Sequence, residues 1–151
     1  MLKGIDPLLT PELLKVLAEM GHGDEIVVAD ANFTAITLGR GKTVIHAPGI
    51  GVLRMCEAVL SLLPLDAAVD CPVACMQVSG TPDGYRSALQ RQVQQRLAEA
   101  GWAQPQQVEA VERFAFYDRV QRAHAIVLTG ELQPYANFVF KKGVIGEPLV
   151  H

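Results

Sequence analysis

The chain lacks an excess of either charge. Its 13 lysines and arginines stand against 16 aspartates and glutamates, for a formal net charge of −3 over 151 residues. Domains that bind a phosphate backbone are usually strongly basic, so nucleic acid is not an expected partner. The chain also lacks any apolar run near the ~20 residues that span a bilayer. The longest, Val52 to Leu65, is broken by Arg54 and Glu57, and no membrane partner is expected. Met1-Leu2-Lys3-Gly4-Ile5-Asp6 carries no apolar stretch of the secretory kind. Cysteine is scarce: Cys56, Cys71 and Cys75 make an odd number. Cys71 and Cys75 have no second pair to complete a zinc ligand set, so no metal is expected. Free thiols in a reducing, cytoplasmic setting are the simplest reading.

Three catalytic signatures are also missing. There is no G-x-x-x-x-G-K-[ST] phosphate loop, no G-x-G-x-x-G opening a helix and no G-x-S-x-G elbow. Gly39-Arg40-Gly41-Lys42-Thr43 has phosphate-loop composition but precedes a strand. No nucleotide cofactor is expected.

What is present is a core. Half of the residues are hydrophobic and 19% charged, which excludes disorder as the main state and suits one domain over residues 1–151. Thr10, Pro11 and Glu12 read as a helix start, with Leu13, Leu14, Leu17 and Met20 on one face and Gly21 as the stop. Ile26 to Ala29 reads as a strand covered on both faces. Strands are also predicted at Thr43–His46, Pro72–Val78, Val108–Val111, Ala125–Thr129 and Asn137–Lys141. Helices are predicted at Gly51–Leu63, Tyr85–Ala100 and Phe114–Ala123, with Gln90, Gln92, Gln94, Gln95, Arg119 and Arg122 on solvated faces. Alternating strands and helices predict a compact layered α/β domain with a central mixed sheet flanked by helices.

Polar groups collect at three places. Gly21-His22-Gly23-Asp24 puts a histidine, the side chain suited to proton exchange near neutral pH, between two glycines. It reads either as a plain solvated turn or as a proton donor. Asp30 closes the strand after it, where ligands of open α/β sheets sit. Arg113-Phe114-Ala115-Phe116-Tyr117 places Arg113 and Tyr117 on one helical face. That segment reads either as a helix start with a charged exterior or as a grip for a hydroxylated ligand. Gln133-Pro134-Tyr135-Ala136-Asn137 reads as ordinary turn chemistry or as a third contact. His46, His124 and His151 have no partner at useful spacing.

Taken together, these segments carry a resemblance. The run from Met1 through Gly21-His22-Gly23-Asp24-Glu25, the Arg113–Tyr117 segment and Phe138-Val139-Phe140-Lys141-Lys142-Gly143-Val144 resemble the D-ribose pyranase and L-fucose mutarotase family, on its fucose branch. The resemblance covers essentially the whole chain. It implies interconversion of sugar anomers without metal or organic cofactor, a monosaccharide as partner, and rings of copies, often decamers of two stacked pentamers, with the site near subunit contacts. It assigns proton donation to His22 and sugar binding to Asp30. The family's helix arginine and tyrosine fall on Arg113 and Tyr117, the latter a candidate proton relay. The family's Tyr-Gly-Asn loop falls on Tyr135, Ala136 and Asn137, and Asp66 and Met76 match further pocket residues. Ala136 stands where the family has glycine, and a left-handed backbone there would strain an alanine. Asn32 and Thr34 replace the histidine and proline of an Ala-His-Phe-Pro run. Ribose pyranase activity, a non-catalytic sugar binder and a purely structural ring protein are the competing readings.

Overall fold

The computed structural model describes residues 1–150. Helix α1 spans Pro11–Glu19; Thr10 Oγ1 accepts from the Leu13 amide at 3.2 Å, a cap of about 1 kcal/mol. Strand β1, Glu25–Ala29, is followed by the short helix α2, Ala35–Leu38. Then come β2 (Thr43–Ala47), α3 (Val52–Leu60) and β3 (Val73–Met76). Helix α4 spans Ala88–Glu99 and β4 Val108–Val111. Helix α5 spans Arg113–Gln121, and β5 (Ala125–Thr129) and β6 (Phe138–Lys141) complete the sheet.

Every predicted strand is present, with small shifts at the ends. The third begins at Val73 rather than Pro72 and stops at Met76, because Gln77 turns to donate its backbone amide to Val111. The fourth helix starts three residues later than predicted, where Ser87 caps it. α2 was not predicted; its four residues are too few to show a period.

The sheet order is β2-β5-β1-β6-β3-β4. β1, β2 and β5 run parallel, β3 and β4 run parallel to each other, and β6 lies antiparallel between β1 and β3. Strand alternation divides the core. Ile26, Val28, Cys75, Phe138 and Phe140 face α1, α3 and α4, packing with Leu13, Met55, Val93 and Leu97. Val27, Ala29, Ala74, Met76, Ile126 and Val139 face the other way, onto Phe33, Phe116 and Val120 of the α2–α5 layer. Burying each large apolar side chain contributes about 2–3 kcal/mol, so both faces are firmly anchored. The sheet is therefore a ruler whose two edges carry different loops.

Arg119 is not on a solvated face as predicted. Its side chain is only 15% exposed and donates to Glu25 at 2.6 Å and Glu109 at 2.7 Å, tying α5 to β1 and β4. Long-range partners of this kind leave no mark in local spacing.

Candidate active site

The polar residues gather in two groups, one at each end of β1. At its carboxyl end, Asp30, Asn32, Phe33, Met76, Arg113, Tyr117, Pro134, Tyr135 and Asn137 line an open cleft of about 240 Å³. Asp30 is buried, and its Oδ1 accepts from the Asn32 amide at 3.0 Å. Its own amide donates to Asn137 Oδ1 at 2.8 Å. Burial pushes the Asp30 carboxyl above the ordinary aspartate range, opposed by the Asn32 amide, the Asn137 side chain and the Ala136 amide. Asn137 also places its Nδ2 3.9 Å from Met76 Sδ, and the Met76 amide donates to the Asn137 carbonyl at 3.2 Å. The ends of β1, β3 and β6 are thus locked together around one carboxylate.

The opposite wall comes from α5. Glu112 caps that helix, accepting from the Phe114 amide at 2.9 Å and the Ala115 amide at 3.0 Å; those two amides hold its carboxyl below the usual range. The start of the helix is thereby fixed, and with it the face that carries Arg113 and Tyr117. Arg113 Nε donates to Tyr117 Oη at 2.9 Å, a contact that holds the guanidinium firmly protonated. The Tyr117 ring is set edge-on against Phe33 at 5.8 Å and Phe114 at 6.1 Å. Its hydroxyl is therefore aimed by two aromatic contacts and one cation.

The turn entering β6 holds a surprise about strain. Tyr135 has φ 60° and is the one non-glycine residue among those described with a positive φ. The expectation that alanine in place of the family's glycine would be strained is corrected: the left-handed residue is Tyr135, and Ala136 is buried without that penalty. A non-glycine residue in this region costs about 1–2 kcal/mol, so something must hold it there.

His22 and Asp66 form the second group, at the amino end of β1. His22 Nε2 lies 3.1 Å from Asp66 Oδ1, which also accepts from the Ala68 amide at 3.0 Å. The Ala68 amide, then His22 and Lys141, hold the Asp66 carboxyl below the ordinary range, so it is an acceptor and Nε2 carries the hydrogen. The Asp66 side chain is 6% exposed and that of His22 53%, so the ring is oriented from below and open above. Two backbone contacts set this pair. The Gly23 amide donates to the Lys142 carbonyl at 2.8 Å, and the Asp66 amide to the Lys141 carbonyl at 3.0 Å. Gly143 allows the second approach: a Cβ there would lie 2.5 Å from the Leu65 carbonyl oxygen.

The structure therefore brings Asp30, Met76, Arg113, Tyr117, Tyr135 and Asn137 together, and places His22 and Asp66 elsewhere. The resemblance put Asp66 with the pocket residues; in the fold its carboxylate meets the His22 ring. β1 lies between the two groups. At about 3.3 Å per residue, the span from Asp24 to Asp30 is roughly 20 Å, far beyond the reach of an imidazole. Gln90, expected on a solvated face, is fully buried and donates to the Met76 carbonyl at 2.8 Å and the Tyr135 carbonyl at 3.1 Å. The signal for it was present: Ser87-x-x-Gln90 has capping-box spacing, and both bonds of that box form.

Known proteins share this arrangement of chain. The model of the RbsD / FucU transport protein family matches residues 3–145. An L-fucose mutarotase of Actinobacillus pleuropneumoniae serotype 5b is 48% identical over 145 residues, 95% of this chain and 97% of that protein. The fucose mutarotase of Homo sapiens is 44% identical over 147 residues, 95% and 94% of the two chains. The crystal structure of the Streptococcus pneumoniae fucose mutarotase in complex with L-fucose superposes with a TM-score of 0.85 at 36% identity, covering 96% of this chain and all of that one. Bacillus subtilis RbsD complexed with D-ribose superposes less closely, with a TM-score of 0.71 at 25% identity over 97% of this chain. With the match running from Lys3 to Ile145 and the same fold in both solved relatives, the chain belongs to the RbsD / FucU family.

Proposed function

We propose that this protein is a sugar mutarotase that interconverts the α and β anomers of L-fucose or a related hexose. The observation that carries the reading is the hydrogen-bonded Arg113–Tyr117 pair lining the same cleft as Asp30 and Asn137. Relatives at 44–48% identity that bear the fucose mutarotase name support the choice of sugar.

Mutarotation opens a cyclic hemiacetal, rotates the C1–C2 bond and closes the ring on the other carbonyl face. As the anomeric hydroxyl loses its proton, that O–H electron pair forms the carbonyl. The bond from C1 to the ring oxygen breaks, and the ring oxygen takes up a proton. Tyr117 Oη, oriented by Arg113, relays the first proton to solvent. Asp30, Asn137 and Tyr135 hold the remaining hydroxyls. His22, as an imidazolium with its Nε2 hydrogen committed to Asp66, delivers the second proton from Nδ1 and is left as the neutral Nε2–H tautomer. Closure reverses each transfer and restores the side chains, so no covalent intermediate is needed. The reaction also runs in water unaided, and positioning with modest proton transfer suffices.

His22 cannot reach the cleft of its own chain, so in this reading it serves the cleft of a second copy. That requirement supports a closed ring of identical subunits; the assembly we propose is the family's decamer of two pentamers. The three free cysteines, two of them buried, fit a reducing cytoplasm. The single domain of residues 1–151 is then one sugar-handling unit that works only in company.

Magnetisation-exchange NMR of L-fucose at anomeric equilibrium tests the reading. Catalytic amounts of protein should speed α/β exchange while leaving ribose ring-form exchange unchanged. Acceleration of ribose alone would make it a pyranase, and binding of L-fucose at the spontaneous exchange rate would make it a non-catalytic sugar binder.

A further inference from the structure

A glutamine amide is costly to bury unless every polar atom finds a partner. Gln90 is 1% exposed on α4, in line with Val93 and Leu97, where an apolar side chain would fill the space at lower cost. Its partners explain the exception. Oε1 accepts from the Ser87 amide at 3.0 Å, closing the capping box. The two amide hydrogens go to the Met76 and Tyr135 carbonyls. Both acceptors belong to residues that line the cleft. α4 itself packs on the opposite face of the sheet. Gln90 thus reaches round the carboxyl edge and ties the end of β3 to the one left-handed non-glycine residue described.

We propose that Gln90 is a positioning residue for the sugar cleft, holding Tyr135 in its left-handed backbone so that the phenol faces the ligand. The catalytic part of this inference rests on the mutarotase reading; the hold on the loop does not. Asn137 follows Tyr135 by two residues and bonds Asp30, so a slack turn would also loosen the carboxylate.

Gln90→Glu is the discriminating variant. A glutamate keeps the shape and the oxygen that accepts from Ser87, and an ionised carboxylate donates nothing to the two carbonyls. Ser87→Ala is the control: it removes the other half of the cap and leaves the Gln90 amide on the loop. The assays are the KM and kcat of L-fucose anomer exchange and the ring signals of 13C-labelled tyrosine. The chain has three tyrosines, so the spectrum is readily assigned. Gln90→Glu should raise KM about tenfold with kcat within about threefold, and should shift or broaden the Tyr135 signal while Tyr85 stays put. Ser87→Ala should lower the melting temperature and move neither KM nor the Tyr135 signal. Where Gln90→Glu fails to fold, Gln90→Met, of similar volume and uncharged, takes its place with the same expected result. An unmoved Tyr135 signal with unchanged KM overturns the proposal. A Tyr135 signal that moves, in a protein whose wild type leaves fucose exchange at the spontaneous rate, sinks the mutarotase reading and sustains the hold of Gln90 on the loop.

Discussion

If His22 of one copy serves the cleft of another, two dead variants should rescue each other. A His22→Ala chain keeps an intact cleft and lacks the proton donor. An Asp30→Asn chain keeps the donor and lacks the carboxylate. The first should lose at least ~10²-fold in exchange rate, the ordinary contribution of a positioned acid, and the second should lose exchange together with its grip on the sugar. Now let the two chains be co-expressed in equal amounts and mix at random in one ring. A working site needs its histidine from an Asp30→Asn chain and its cleft from a His22→Ala chain. Each condition is met about half of the time, so about a quarter of the sites are whole and about a quarter of wild-type activity returns. The geometry sets this figure, because β1 separates the two groups by roughly 20 Å in every chain. Differently tagged chains, purified through both tags and assayed by magnetisation-exchange NMR, give the measurement. A co-purified mixture no more active than its parents would refute the shared site.

Three substitutions test the cleft itself. Asp30→Asn should raise the melting temperature at pH 7 even as it weakens sugar binding, because burial makes the ionised Asp30 a cost to the fold. With the folded-state pKa above the unfolded one, that cost is full above the raised value and absent below the ordinary carboxylate range, so the gain in a pH series of melting curves should fade towards acid. Tyr117→Phe should slow exchange by about 10²-fold; thermal melts should barely change, because its bond to Arg113 is exposed. Ala136→Gly should keep activity and lower stability by about 1 kcal/mol in urea titrations, since the backbone there has no positive φ for glycine to relieve.

Local chemistry made much of the fold legible. Thr10-Pro11-Glu12 announced α1, and the unbroken apolar run from Ile26 to Ala29 announced a strand covered on both faces. Arg113 and Tyr117 are four apart on a helix, so their contact could be read from spacing. What spacing cannot carry is a partner distant in sequence. Asp66 stands 44 residues from His22, and nothing near either one points to the other. Arg119 looked like any solvated helix cation until β1 supplied Glu25, 94 positions away. Gln90 failed for a subtler reason. It sits in a glutamine-rich helix that is mostly solvated, and its capping-box spacing was overshadowed by that composition.

If the proposed site is divided along β1, activity depends on assembly. The carboxyl edge of the sheet holds a cleft that can bind hydroxyls, and the amino edge holds an oriented histidine with its face open. In the proposed mechanism one proton leaves the anomeric hydroxyl and one reaches the ring oxygen, and neither end of β1 alone handles both. A lone chain would therefore bind sugar weakly and leave its anomers to the solvent. In the proposed ring, joining copies would bring together two halves that are each already set: Asp66 orients the imidazole, and Glu112 fixes the start of the helix that carries Tyr117. Dilution should thus lower activity by loss of contacts between copies, while each chain stays folded on its two-sided core.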